Sequence, residues 1–259
     1  MILVFDVGNT ETSIGLFEGE RLAAHWRLVT EIARTSDEIE LQLRALLASR
    51  DVAVSVVTGS AIASVVPVLT EPLIGGCAAL FDRTPVVVDA RTTLPITLDV
   101  LEPLTVGADR IVNTLAASRL FARDTIVVDL GTATTYDCIT GDGVFLGGVI
   151  APGMRTSAET LFRRTAKLPA TELVAPEHVI GRRTEDCIRS GVVFGTADAV
   201  DGIVRRIKAE WPTGHVPLVV ATGGLAPLIT PWCREVERIE PELTLVGLRM
   251  AYEIVTANR

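Results

Sequence analysis

The chain has 259 residues, 48% of them apolar, and a formal net charge of -8. That length admits one large domain or two medium ones, with ample material for a core. The acidic balance argues against a nucleic-acid footprint or an anionic-membrane surface, since both need clustered Lys and Arg.

An apolar run at 2–6, a turn and a second run at 12–17 predict a β-hairpin. Glu18-Gly19-Glu20 then turns the chain into a third strand at 22–28. Thr35 and Glu38 have capping-box spacing, and Ile39, Leu43, Leu46 and Leu47 supply the apolar face of the helix that follows. β-branched residues predict short buried strands at 54–58 and 85–88. The stretch 52–80 is strongly apolar, but Gly59, Pro67, Glu71 and Pro72 interrupt it. It reads as strands and turns rather than a membrane span. Residues 107–121 form a helix with Ile111, Leu115 and Ala116 on one face.

The second half repeats this plan. Strands are expected at 125–129, 134–140 and 144–150, with Gly141-Asp142-Gly143 in the place of Glu18-Gly19-Glu20. Helices are expected at 157–164, 184–194 and 197–211. A strand at 218–221 ends in Thr222-Gly223-Gly224, and a closing helix covers 243–256. A fainter echo links Val56-Val57-Thr58-Gly59-Ser60 with Val220-Ala221-Thr222-Gly223-Gly224. Two similar domains follow, 1–121 and 122–259.

The chemistry-bearing residues sit at the repeated turns. In each half an apolar strand ends in Asp-x-Gly, followed by amide or hydroxyl side chains and a second strand: Asp6-Val7-Gly8-Asn9-Thr10 and Asp129-Leu130-Gly131-Thr132. Glycine lets the backbone approach an anion, and successive turn N–H groups form a nest for it. Asp6 is placed to hold Mg²⁺, directly or through water, and Asn9 and Thr10 to donate to phosphate oxygens. The same logic puts Thr132 near a phosphate and a cation at Asp129. The Gly223-Gly224 turn gives a nucleoside a bare surface to lie on, although a plain strand-to-helix turn reads the same way. Asp109 falls in a first helical turn, where the dipole favours its ionised form, and Arg110 beside it suits a carboxylate or phosphate. On residues alone, an ordinary helix-start aspartate and a surface arginine are the favoured explanation of that pair, since Asp in a first turn is commonplace.

Several classes are excluded. There is no Gly-x-x-x-x-Gly-Lys-[Ser/Thr] loop and no Gly-x-Ser-x-Gly elbow. Cys77, Cys138, Cys187 and Cys233 lie far apart without ligand spacing, so they read as buried thiols in a reducing compartment. His25, His178 and His215 are isolated. Arg163-Arg164-Thr165-Ala166-Lys167, the densest basic run, reads as a solvated face. Met1 leads directly into strand residues, so no signal peptide is expected and a soluble cytoplasmic protein is.

These residues resemble the superfamily of acetate kinase, sugar kinases, Hsp70 and actin, whose duplicated domains clasp ATP. Within it the chain is similar to the type III pantothenate kinases. The matching segments are Asp6-Val-Gly-Asn-Thr10, Ser64-Val-Val-Pro67, Val106-Gly-Ala-Asp-Arg110, Asp129-Leu-Gly-Thr132, Gly147-Gly-Val-Ile-Ala-Pro-Gly153, Thr165-Ala-Lys-Leu-Pro169, Gly181-Arg-Arg-Thr184 and Ala221-Thr-Gly-Gly224. Their joint order carries the likeness, and Gly-Ala-Asp-Arg is the most diagnostic.

The resemblance implies two actin-like (ribonuclease H-like) α/β domains, each a mixed sheet flanked by helices, with an ATP cleft between them. It implies ATP-dependent phosphorylation of pantothenate to 4′-phosphopantothenate, the first step of coenzyme A synthesis. Asp6, Val7, Gly8, Asn9, Thr10, Glu11, Thr12 and Ser13 would form the first ATP-phosphate loop, with Thr132 also touching ATP. Gly107, Ala108, Asp109 and Arg110 would hold pantothenate, Asp109 taking the proton from its primary hydroxyl. Asp129 would bind a monovalent cation, potassium or ammonium. Thr184 would reach pantothenate from the partner subunit of a homodimer. The chain departs from the family where Tyr-x-Asn-Pro is usual: Val100-Leu101-Glu102-Pro103 stands there, and Val100 takes the place of a pocket-wall tyrosine. Two other readings stay open, a same-fold kinase of another small alcohol and a non-catalytic nucleotide-binding regulator.

Overall fold

Short apolar runs separated by polar turns after Met1 produce three consecutive antiparallel strands: β1 (Ile2–Val7), β2 (Glu11–Glu18) and β3 (Arg21–Val29). The computed structural model describes residues 1–257. Helix α1 (Ser36–Ala48) starts at the expected capping box. The Glu38 N–H donates to Thr35 Oγ1 at 3.3 Å, and the Thr35 N–H donates to Glu38 Oε2 at 2.8 Å. Ile39, Leu43 and Leu47 are its buried face.

The next segment departs from the sequence reading. Residues Val54–Val56 form a 3-10 turn, and the strand comes later as β4 (Gly59–Ser64). Residues read as strands and turns are the helix α2 (Pro67–Phe81). Pro67 opens that helix, where its missing N–H costs nothing, so it starts the element instead of breaking it. Gly75 and Gly76 are where α1 packs: a Cβ on Gly76 would lie 2.8 Å from Ser36 O. β5 (Val86–Val88) completes a sheet of order β3-β2-β1-β4-β5, parallel from β1 to β5.

The chain then lends β6 (Thr97–Leu98) to a second sheet and forms α3 (Ala108–Phe121). β7 (Thr125–Leu130), β8 (Ala133–Ile139) and β9 (Val144–Pro152) repeat the antiparallel start. After α4 (Met154–Arg164) comes α5 (Thr184–Ala209), one 26-residue helix where two were expected. Gly191 and Gly195 tempt a break, but Ile188, Val192, Val193, Ala197, Val200 and Val204 form one continuous buried face across them. Burying those six side chains outweighs the roughly 1 kcal/mol each glycine costs a helix. β10 (Leu218–Thr222), the single turn α6 (Ala226–Ile229) and β11 (Arg238–Ile239) follow. The second sheet has order β11-β10-β7-β8-β9-β6, with β7, β10 and β11 parallel. Two mixed sheets of matching connectivity are the expected duplicated α/β plan.

The closing helix α7 (Leu243–Ala257) packs on the first sheet, against β1, β4 and β2. The Thr244 hydroxyl donates to Asn113 Oδ1 at 2.9 Å, and a Cβ on Gly247 would stand 2.1 Å from Val112 O. The chain therefore divides into one compact unit of residues 1–96, 100–116 and α7, and another of 97–99 and 117–242. The sequence reading places one cut between 121 and 122, whereas the chain crosses between units four times.

Register also separates the two halves. Val7 pairs with Thr12 and Leu130 with Thr134, so the first turn is one residue longer. The fainter echo is not structural: Gly59 begins β4 opposite Ile2, whereas Gly223 follows the last residue of β10. Gly59 is set by packing, since a Cβ there would meet the Tyr252 hydroxyl at 1.8 Å.

Candidate functional site

Parallel strands expose their carboxyl ends together, and both conspicuous aspartates sit at such ends. In the first unit Asp6 is the penultimate residue of β1, paired with Ser13 on β2 and Ala63 on β4. The turn beyond it closes when the Gly8 N–H donates to Glu11 O at 3.0 Å. A Cβ on Gly8 would lie 2.9 Å from that same oxygen, so the tight turn requires glycine. Asn9, Thr10 and Glu11 are exposed at its tip, whereas Val7 and Thr12 are buried.

β4 ends beside this turn, where the Val65 N–H donates to Val7 O at 3.0 Å. The start of α3 is set against Val65, whose Cγ1 lies 3.6 Å from the position of a Cβ on Gly107. Asp109 is thus brought to the strand end that carries Asp6. Its carboxylate accepts the Arg110 N–H at 2.9 Å. Burial pushes the Asp109 carboxyl above its ordinary value, against the lowering effects of the Arg110 N–H and guanidinium. Half-buried, hydrogen-bonded and inclined to take a proton, it has the properties of a general base. Ala108 is buried beneath it. Val100 is half-buried, while Leu101 and Glu102 stand in solvent before the 3-10 turn Pro103–Thr105.

Gly107 sets the carboxylate's place. A Cβ there would stand 2.4 Å from Asp109 Oδ1, with nothing else nearer than 3.5 Å. Gly107→Ala is therefore expected to fold with a melting temperature near wild type while displacing the carboxylate. Turnover should fall by roughly a hundredfold, as when a reacting group is misplaced by about 1 Å. Steady-state kinetics beside a thermal melt check both halves of that expectation.

The second unit builds the equivalent turn from different supports. Asp129 pairs with Thr135 on β8 and Thr222 on β10. The Gly131 N–H donates to Ala133 O at 3.1 Å. Two supports escaped sequence reasoning. A Cβ on Gly153 would lie 2.3 Å from Thr132 O, and the Thr156 hydroxyl donates to that oxygen at 2.7 Å. Gly153 falls in a segment singled out by resemblance, but nothing local marked its contact with Thr132. Gly223 has φ +90°, and a Cβ there would be 2.4 Å from Asp129 Oδ1 and 2.8 Å from Leu130 backbone. Gly224 follows, and the Leu225 N–H donates to Leu130 O at 3.1 Å. Thr132, Asp129, Gly223 and Gly224 are thereby gathered in one unit. Thr184 also belongs to that unit, exposed in the first turn of α5, whereas Val100 and Gly107–Arg110 belong to the other.

Two sheets that share a five-strand order, the second with β6 added at its edge, each ending a central strand in Asp-x-Gly beside glycine-shaped turns, define the actin-like class that includes the sugar kinases. Solved structures agree in fold. Component A of (R)-2-hydroxyglutaryl-CoA dehydratase from Acidaminococcus fermentans aligns with a TM-score of 0.58 at 15% identity, covering 98% of each chain. A ROK hexokinase from Thermus thermophilus aligns with a TM-score of 0.52 at 13% identity, covering 98% of this chain and 99% of its own. Sequence narrows the class further. The pattern of the type III pantothenate kinases matches residues 2–206. A type III pantothenate kinase from Moorella thermoacetica is 43% identical over 255 residues, covering 98% of this chain and 99% of that protein. One from Roseiflexus castenholzii is 46% identical over 254 residues, covering 98% and 99%. The chain belongs to the type III pantothenate kinase family.

Proposed function

We propose that this protein transfers the γ-phosphoryl group of ATP to the primary hydroxyl of pantothenate, giving 4′-phosphopantothenate for coenzyme A synthesis. The observation that carries the reading is the half-buried Asp109 carboxylate at the same strand end as the Asp6 turn. Asp109 orients the attacking hydroxyl and takes its proton as the new O–P bond forms. Arg110 holds the carboxylate end of the substrate, Gly107 and Ala108 lie along it, and Val100 walls the pocket. The turn within residues 6–13 cradles the phosphates, and Thr132 and the Gly223-Gly224 turn contact the rest of ATP. Thr184 reaches pantothenate from a second subunit. Most of the rate comes from aligning acceptor and donor in a dry site.

A divalent cation fits this site only in company with ATP. Among the described residues no three His, Cys, Asp or Glu side chains cluster into a protein cage. Asp6 alone, directly or through water, suits Mg²⁺, which keeps water and phosphate oxygens as most of its ligands. Mg²⁺ bound there neutralises charge on the phosphate oxygens.

Asp129 would hold a monovalent cation, potassium or ammonium. Hydroxyl-bearing residues pair with it on both neighbouring strands, Thr135 on β8 and Thr222 on β10, and oxygen donors suit such a cation. Asp129→Asn should abolish or strongly blunt potassium stimulation of turnover. An unchanged potassium titration would move that role to other residues.

The working state is a cytoplasmic homodimer. The second unit supports pairing by exposing Ile150, Phe162, Val179 and Ile180, at 67%, 48%, 68% and 85% of full accessibility. Among the described residues no helix is long and apolar enough to cross a membrane.

A panel of small primary alcohols, with phosphorylated product identified by ³¹P NMR, tests the acceptor. Pantothenate preferred over the panel supports the reading. A preference for another alcohol would give this fold a different substrate, with Val100 and Glu102 as the cause to examine.

A further inference from the structure

We infer that Thr30, a residue outside every recognised motif, positions the first phosphate turn, and that Thr12 serves it as a brace instead of donating to ATP. The inference deepens the proposed kinase function and rests on it.

Three contacts carry the argument. The Thr30 hydroxyl donates to Gly8 O at 2.7 Å. The Thr30 N–H donates to Thr10 O at 2.9 Å. Thr12 Oγ1 and Thr30 Oγ1 lie 2.9 Å apart. A hydroxyl has one proton, and Thr30's goes to the Gly8 carbonyl, which can only accept. Thr12 must therefore be the donor in the hydroxyl pair. Thr12 is 8% exposed and its single proton is committed, so it has none to give a phosphate oxygen. It acts through Thr30, within a relay that runs Thr12 to Thr30 to Gly8.

The relay has a direction that matters for an anion. Every peptide bond here is trans. In a trans peptide the C=O and the following N–H point to opposite sides. Holding the Gly8 carbonyl toward Thr30 turns the Asn9 N–H away from Thr30, and holding the Thr10 carbonyl does the same for the Glu11 N–H. One residue thereby orients two amide dipoles of the turn before any ligand arrives. Thr30 is itself fixed: Val29 pairs with Glu11 on one side, and the Thr35 capping box follows on the other. Arg34 further ties the link, donating to Glu31 Oε2 at 2.8 Å and to Gln42 Oε1 at 2.5 Å. In the second unit Thr134, the register counterpart of Thr12, has a buried hydroxyl with no hydrogen-bond partner.

Thr30→Val keeps shape and backbone N–H and removes the hydroxyl. ATP and ADP affinity should fall about tenfold by calorimetric titration without acceptor, the scale of one well-made hydrogen bond. KM for ATP should rise by the same factor, with kcat at saturating ATP and KM for pantothenate near wild type. Thr30→Ser should restore affinity. Thr12→Val should reproduce a weaker form of the defect, and Thr12→Val with Thr30→Val should be no worse than Thr30→Val alone. Unchanged nucleotide affinity in a folded Thr30→Val protein, or failure of Thr30→Ser to recover it, would overturn the inference. So would full additivity of the two valines. The titration needs no acceptor, so a wrong substrate assignment shows only in turnover and a wrong brace only in the titration.

Discussion

Asp109→Asn should leave a protein that folds and binds ATP, yet turns over on the order of 10²–10⁴-fold more slowly, the usual contribution of a positioned general base. Asparagine keeps the size of the side chain and an oxygen to accept the Arg110 N–H, but it cannot take a proton. Burial raises the Asp109 carboxyl above the ordinary aspartate range. The sign of the linkage follows. The half-buried carboxylate is most comfortable protonated, so its contribution to stability is full at low pH and is lost as pH rises through the raised pKa. Under the proposed base role activity runs the other way, because a base must be ionised to take a proton. The acid limb of kcat/KM should therefore lie above the ordinary aspartate range, and it should vanish in Asp109→Asn. The amide also removes a buried charge, so the variant should melt no lower than wild type near neutral pH. A variant that unfolds would be a packing defect. One that folds and retains turnover would remove Asp109 from the chemistry.

Gly223→Ala should be the most damaging single methyl in the second unit. The residue has φ +90°, a conformation alanine avoids, and the added Cβ would press on Asp129 Oδ1 and on Leu130 backbone, which cannot swing aside. Strain and overlap together should cost about 2–4 kcal/mol. The functional loss should be larger, because the same methyl moves Asp129 and opens the turn proposed to take the nucleoside. Nucleotide affinity and potassium stimulation should fall together. Gly191→Ala is the internal control. Its Cβ meets nothing within 4 Å in the middle of α5, so the same substitution there should stabilise by about 0.5–1 kcal/mol and leave turnover alone. Chemical denaturation of both variants checks the opposite signs. Two stabilities falling alike would mean that the backbone at Gly223 is not the constraint described.

What could be read from the chain without coordinates was local. The hairpins were legible because short apolar strands alternate and end in Asp-x-Gly. The start of α1 was legible because Thr35 and Glu38 interact within one turn. α2 was hidden because it is apolar nearly all round and carries two prolines, which removes the 3.6-residue stripe and mimics a break. The length of α5 was hidden because its glycines cost little beside a continuous buried face. The return of α7 to the first sheet was invisible for another reason: an apolar helix face fits either sheet, and Gly247 over Val112 decides it only in three dimensions.

The candidate site divides the same way. Asp6, Gly8, Asp109 and Asp129 announce themselves by residue type and place. Their supports do not. Thr30 lies 22 residues from the Gly8 carbonyl it holds, and Thr156 lies 24 from the Thr132 carbonyl. Val65 matters because β4 happens to end beside β1. Sequence motifs mark the groups proposed to meet substrate, while the groups that aim them are recruited by the fold.

The most direct test is ADP release from Mg-ATP by the purified protein, with pantothenate present or absent and with potassium present or absent. Release that requires pantothenate and rises with potassium is the predicted result. Release that ignores pantothenate, or none at all from protein that binds ATP, would contradict the account.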